Sequence, residues 1–182
     1  MAIEIRDIIN PGEIRSSLEV IRASFRTVAE ELGLTEGNCP AHASFITLDK
    51  LNELNKRAHF TGLYQGGRQV GFVAIEKADN GVYYLDKLSV LPQHRHKGYG
   101  KRLVEYVLTW VKEEGGSRVS LGMIDSHTVL KEWYEELGFR VTGTKKFDHL
   151  PFTVCFMDYS FSGEQVHHHI ADIGTGRPGY DQ

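Results

Sequence analysis

Apolar positions along the first half of the chain change period several times, and each change marks an element. Residues 2–8 alternate apolar and polar, with Ile3 and Ile5 on one face, which is the period of a strand. Pro11 and Gly12 break it. From residue 13 to 32, Ile14, Leu18, Ile21, Phe25, Val28 and Leu32 recur every three or four positions, the stripe of an amphipathic helix ended by Gly33. Residues 34–43 lose periodicity and read as an irregular loop. Thr47 is placed to cap a short second helix that buries Leu48, Leu51 and Leu54. Residues 60–64 and 69–75 form a hairpin about Gln65-Gly66-Gly67-Arg68. Asp79-Asn80-Gly81 then turns the chain into a third apolar run, 82–91, stopped by Pro92.

The second half switches period again. Residues 98–114 carry Leu103, Val104, Val107, Leu108 and Val111 on one helical face and end at Gly115-Gly116. Residues 119–124 read as a strand, and 128–137 as a helix with Val129, Leu130, Trp133, Tyr134 and Leu137 on one face, closed by Gly138-Phe139. Two last strands, 139–147 and 152–160, flank Asp148-His149-Leu150-Pro151. The order β-α-α-β-β-β-α-β-α-β-β predicts a mixed α/β (α+β) domain over residues 1–161, one sheet with helices on both faces. Residues 162–182 hold four glycines and no period, and read as a tail that is mobile or packed on a partner. No internal repeat is present.

Composition narrows the setting. A chain of 182 residues that is 41% hydrophobic can bury one good core. With 21 basic against 24 acidic residues the formal net charge is -3, which disfavours nucleic acid as a partner and suits a cationic amine. The N-terminus has no signal-peptide pattern, and no apolar run approaches the ~18 residues of a membrane span, so a cytoplasmic setting without a membrane partner is expected. Cys39 and Cys155 have no metal-site spacing. Cys155 reads as a small core residue and Cys39 as a loop residue. His167-His168-His169 are three adjacent rings that cannot all face one ion without a rigid frame, so no metal is expected there.

The candidate chemistry sits at Arg95-His96-Lys97-Gly98-Tyr99-Gly100, between the strand 82–91 and the helix 98–114. Glycines at a helix start let the backbone approach a ligand, and the free amide N–H groups point at it. The helix dipole adds positive potential, and Arg95, Lys97, Lys101 and Arg102 add formal charge, as a pyrophosphate requires. The turn is neither of the commoner phosphate loops. Gly-x-Gly-x-x-Gly lacks its third glycine, and Arg102 stands where the other loop needs Ser or Thr.

A strand ending in Val90-Leu91-Pro92, followed by Arg-x-x-Gly-x-Gly, resembles the acetyl-coenzyme A signature of the GNAT family of N-acetyltransferases. A second hallmark is Trp133-Tyr134-Glu135-Glu136-Leu137-Gly138-Phe139, with the tyrosine four residues before the Gly-Phe pair. The resemblance covers about residues 1–160 and is strongest over 85–139. It implies a central mixed, mostly antiparallel sheet of about 6–7 strands, acetyl-CoA as co-substrate without a metal, and transfer of acetyl to a primary amine of a small molecule, peptide or protein. A homodimer is compatible with it.

It also implies roles. The backbone of Leu88, Ser89 and Val90 would hold the pantetheine arm, and the N–H groups of His96, Lys97, Gly98, Tyr99, Gly100 and Lys101 the pyrophosphate, with Arg95 as the motif residue. Ser126 stands where the family often has an Asn on the cofactor, and His127 is its alternative; Ser126 or Thr128 would cap the following helix. Acceptor choice would lie in 34–45 and 145–151, where Glu30, Glu31 and Glu36 stand nearby to draw in a cation.

The reaction itself asks for a base, because an alkyl amine has a pKa near ~10 and must be neutral to attack a thioester. It also needs a donor for the carbonyl oxygen and a proton for the leaving thiolate. Asp86 stands on the strand where the family often has a Glu, and a base acting through water is expected of it. Strand alternation would put it on one face with Leu88 and Val90. Glu76 and His149 are rival bases, and a structural Asp paired with Lys87 or a backbone N–H is the competing account of Asp86. Tyr134 matches the family's acid position, against the simpler account that it belongs to an apolar stripe. A non-catalytic acetyl-CoA sensor is the other class of function this pattern allows.

Overall fold

The computed structural model describes residues 2–161, so the expectations for residues 162–182 lie outside the described residues. In chain order it contains β1 (Ile3–Asp7), α1 (Pro11–Leu32), α2 (Leu48–Asn55), β2 (Ala58–Gln65), β3 (Arg68–Lys77), β4 (Val82–Val90), α3 (Tyr99–Glu113), β5 (Arg118–Ile124), α4 (Thr128–Glu136), β6 (Arg140–Lys146) and β7 (Thr153–Ser160). Short 3-10 turns occupy Ala43–Phe45 and Pro92–His94. The strands make one 7-stranded sheet in the order β1-β2-β3-β4-β5-β7-β6. Only the β4–β5 neighbours run parallel.

α1 starts earlier than its apolar stripe. The Asn10 side chain accepts from the Glu13 N–H at 3.0 Å, and Pro11 opens the helix, where its missing N–H costs nothing. The proline that breaks the strand pattern therefore begins the helix. Helices cover both faces of the sheet. Tyr64 pairs with Gln69 but its neighbour Leu63 pairs with Gly71, so a bulge at Val70 puts Gln69 and Gly71 on opposite faces. On the first face, Gln69 Nε2 donates to Ser17 Oγ of α1 at 2.9 Å. On the second, Leu103 of α3 fills the space beside Gly71, where an added Cβ would come within 3.0 Å of it.

Two departures from regular strands and helices shape the site. In β4, Asp86 pairs with Ala74 and Ser89 with Phe72, leaving Lys87 and Leu88 opposite Val73 alone. Asp86 therefore shares its face with Ser89, and the expected alternation of Asp86, Leu88 and Val90 on one face does not hold. Lys87 takes the strain, at φ 52. In α4, the expected apolar stripe is not a core stripe. Tyr134 is buried, Leu130, Trp133 and Leu137 are half-buried, and Val129 is 73% exposed.

The sheet then opens. β4 and β5 pair only through Val82–Arg118, Tyr83–Val119 and Tyr84–Ser120. Past these, β5 stays bonded to β7 along its length while β4 stays bonded to β3, and the two parallel strands part. A small second apolar cluster, including Cys39, Ile124, Leu150 and Val154, closes the sheet's far end beneath the 34–43 loop.

Candidate active site

The parting of β4 and β5 opens a cleft of ≈ 650 Å³. One end is the start of α3. Gly98 caps this helix at φ 78, a conformation a side chain would resist, and no side chain bonds its first-turn amides. His96 also takes positive φ, 59°. Gly98, Tyr99, Gly100 and Lys101 line the cleft, as does His96. The His94 imidazole is pushed down by burial, then by Lys97 and Arg68. A 15-residue helix presenting uncapped N–H groups in that positive surrounding can hold an anion.

The remaining residues expected around the turn divide. Leu88 and Val90 line the cleft, whereas Ser89 is buried and donates its hydroxyl to Lys87 O at 2.8 Å. Lys97 is exposed outside the lining. Arg95 lines the cleft, but its guanidinium is spoken for by α1. It donates to Ser24 O at 2.7 Å and Thr27 Oγ1 at 3.0 Å, and so ties the turn to the helix across the sheet end. Ser126 lies outside the main cleft, on a small side pocket of ≈ 130 Å³ between α1 and α4. His127 lines both spaces and is the cap of α4, its Nδ1 accepting from Leu130 N–H at 3.3 Å; the expected capping by Ser126 or Thr128 is replaced.

Asp86 of β4 and Tyr134 of α4 both line the cleft. Asp86 Oδ2 accepts from Lys87 Nζ at 3.0 Å, and both side chains are mostly covered, so the ion pair is present alongside access to the cleft. Tyr134 packs edge-on against Trp133 at 4.9 Å and Phe139 at 5.4 Å. The two rival bases stand elsewhere. Glu76 takes Arg57 at 2.8 Å, His149 rests on Phe147, and neither lines the cleft.

The rest of the lining is largely apolar, and beside Phe25 and Val28 of the α1 stripe it holds His42, Cys39 and Leu150, which periodicity did not flag. Phe152 also lies on it. Cys39 is 1% exposed and burial raises its thiol, so it is core and not the plain loop residue its Gly37-Asn38-Cys39-Pro40 setting suggests. His42 is 8% exposed. Its Nδ1 meets Ser44 Oγ at 2.8 Å and accepts the Ser44 N–H at 3.4 Å, capping the turn Ala43–Phe45. Burial, then Lys87, holds the ring down at about 4, so it is neutral at pH 7. With Nδ1 accepting, the proton sits on Nε2, and Nε2 has no hydrogen-bond partner among the described residues. The His-x-Ser spacing of a side-chain cap was the one sequence signal for it. Glu31 lines the rim, while Glu30 and Glu36 do not. Among the described residues no group of His, Cys, Asp and Glu is placed to hold a metal ion, and no helix is long and apolar enough to cross a membrane.

Residues 25–139, which span the turn, the cleft strands and α4, match the model of the acetyltransferase (GNAT) family. The chain belongs to that family. No curated protein matches it in sequence. Among solved structures, the PaiA N-acetyltransferase of Thermoplasma acidophilum in complex with coenzyme A is similar at TM-score 0.73 and 21% identity, over 88% of this chain and 100% of that one. The ribosomal-protein-S18-alanine N-acetyltransferase of Escherichia coli is similar at TM-score 0.71 and 14% identity, over 92% and 99%. A GNAT-family acetyltransferase of Staphylococcus aureus Mu50 follows at 0.64 and 21%, over 87% and 99%. At these identities the likeness is one of fold, and it matches the mixed, mostly antiparallel sheet expected from the sequence. The family match makes the protein an N-acetyltransferase that uses acetyl-CoA.

Proposed function

We propose that this acetyltransferase moves an acetyl group from acetyl-CoA to a primary amine by direct attack in the β4–β5 cleft. The observation that supports the reading is that Asp86, Tyr134 and the uncapped start of α3 all line one cleft. The donor fits this space. Its pyrophosphate matches the amides of His96 to Lys101, and its pantetheine arm matches the edge that β4 no longer shares with β5.

Each proton then has a place to go. The ammonium of the acceptor gives its proton, through a water, to Asp86, which Lys87 orients at 3.0 Å. The free nitrogen attacks the thioester carbon, the C–N bond forms, and the carbonyl electrons move to oxygen. The bulge at Lys87-Leu88 turns backbone N–H groups out of the ladder, and these suit that oxygen. When the C–S bond breaks, the thiolate takes the Tyr134 hydroxyl proton, the nitrogen sheds its second proton through water to the phenolate as the amide forms, and Asp86 returns its proton to solvent.

The test is release of free coenzyme A thiol from acetyl-CoA with a panel of primary amines. Asp86→Asn should lower turnover about 100-fold and remove the acid limb of the pH–rate profile. An unchanged profile in that variant would take Asp86 out of the mechanism. Binding of acetyl-CoA, seen as a raised melting temperature, without thiol release from any amine would favour a sensor.

A further inference from the structure

Resting on the reading that acetyl-CoA occupies the start of α3 and the split edge of β4, the apolar remainder of the cleft takes the acceptor, and its chemistry is specific. Phe25, Val28, Leu150 and Phe152 give it apolar walls. A second ammonium or a carboxylate carried deep into those walls would lose its hydration without a partner. The carboxylates lining the cleft are Asp86, already paired with Lys87, and Glu31, exposed at the rim. A polyamine or a charged peptide end is therefore poorly matched.

Among these walls stands the ring of His42, with Lys87 also on the lining. His42 is nine-tenths buried, its Nδ1 is committed to Ser44, and its Nε2–H is left without a partner among the described residues. His42 lines the cleft and its Nε2 is not among the fully buried unpartnered atoms, so the donor is open and a ligand oxygen can take its hydrogen bond. Edge contact with Phe25 at 5.7 Å and a tilted contact with Phe45 at 6.2 Å hold the ring, so the donor is fixed in direction. We infer that the acceptor is a primary monoamine with an apolar, aromatic-sized body and one neutral oxygen that accepts a hydrogen bond from His42 Nε2–H. His42 is in this sense a specificity-determining residue.

Three probe amines separate the possibilities: tyramine, which has the ring and the oxygen, phenethylamine, which lacks the oxygen, and spermidine, a polycation. Their affinities are measured by calorimetry on the full chain saturated with coenzyme A, and their kcat/KM by thiol release. Tyramine should exceed phenethylamine by at least about tenfold in affinity, with spermidine weakest. His42→Phe should bring the tyramine-to-phenethylamine ratio close to one, and His42→Gln, which restores an N–H at that reach, should recover most of it. The ratio is read within one preparation, so partial unfolding of a variant cancels. Spermidine binding as tightly as tyramine, or a ratio that His42→Phe leaves unchanged, overturns the proposal. Tyramine binding with the expected ratio but without thiol release supports the acceptor site and counts against the catalytic roles of Asp86 and Tyr134.

Discussion

Tyr134 shows how much one hydroxyl can be asked to do. Its ring is held in place by Trp133 and Phe139, at 4.9 and 5.4 Å, contacts that a phenylalanine would keep. Tyr134→Phe thus removes the acidic proton and little of the packing. If the hydroxyl supplies the proton to the leaving thiolate, kcat should fall by about 100-fold with KM for the amine nearly constant, since the loss belongs to the transition state. Single-turnover thiol release measures this, and a melting curve on the same protein shows whether the core is intact. An unchanged kcat would move the acid elsewhere. Asp86 is the harder residue to read, because the same side chain satisfies two descriptions: it is the partner of Lys87 and it faces the cleft. Sequence alone offers both descriptions, and in the structure the ion pair and the place on the cleft lining occur together.

At the scale of elements, strands and helices followed the apolar period closely, because each buries one face. What escaped the period was set by contacts distant in sequence. The bulge at Lys87-Leu88 depends on β3 supplying one residue, Val73, against two, and a lysine at φ 52 gives no local sign of it. Val129 looked like core on its helical wheel but is 73% exposed beside the cleft, since the stripe of α4 faces the gap between strands. His42 lay in a stretch without period, and its importance comes from Phe25 and Lys87, which approach it from other elements. Arg95 is the clearest case. Its motif position suggested a phosphate ligand, yet its guanidinium bonds α1 through Ser24 and Thr27. Arg95→Met should therefore act first on stability. Loss of charged hydrogen bonds worth about 2 kcal/mol should lower Tm by roughly 5 °C in a chain of this size, measured by thermal melting without ligand. A melting temperature unchanged without ligand, coupled with weakened coenzyme A binding, would return Arg95 to the phosphate.

The molecule as a whole is a sheet held shut at one end and split at the other, and the split makes burial and function compete. α1, the 34–43 loop and the β6–β7 turn meet in the second apolar cluster, and the His42 ring, packed on Phe25 and Phe45, is mostly buried. That burial has a consequence for the entire fold. In the unfolded chain the imidazole takes up its proton near 6.5, whereas in the folded chain it does so only at about 4. Between those values the unfolded state binds more protons, so stability rises with pH across that window. The contribution is intact above about pH 6.5 and is lost as pH falls toward 4, for a total of up to roughly 3 kcal/mol. Glu13 adds to the same acid limb: burial pushes its carboxyl up, but Arg6 and the Ile9 N–H together outweigh this and hold it below its usual value. Melting temperature measured from pH 7 to pH 4 should fall along this limb. His42→Phe, with no proton to take up, should flatten the upper part of it, between pH 6.5 and 5, and leave the fall near Glu13's range. If the variant keeps the full slope, the ring is not neutral in the folded protein. The Nε2–H donor would then belong to a cation, and the preference for a neutral oxygen in the acceptor would lose its basis.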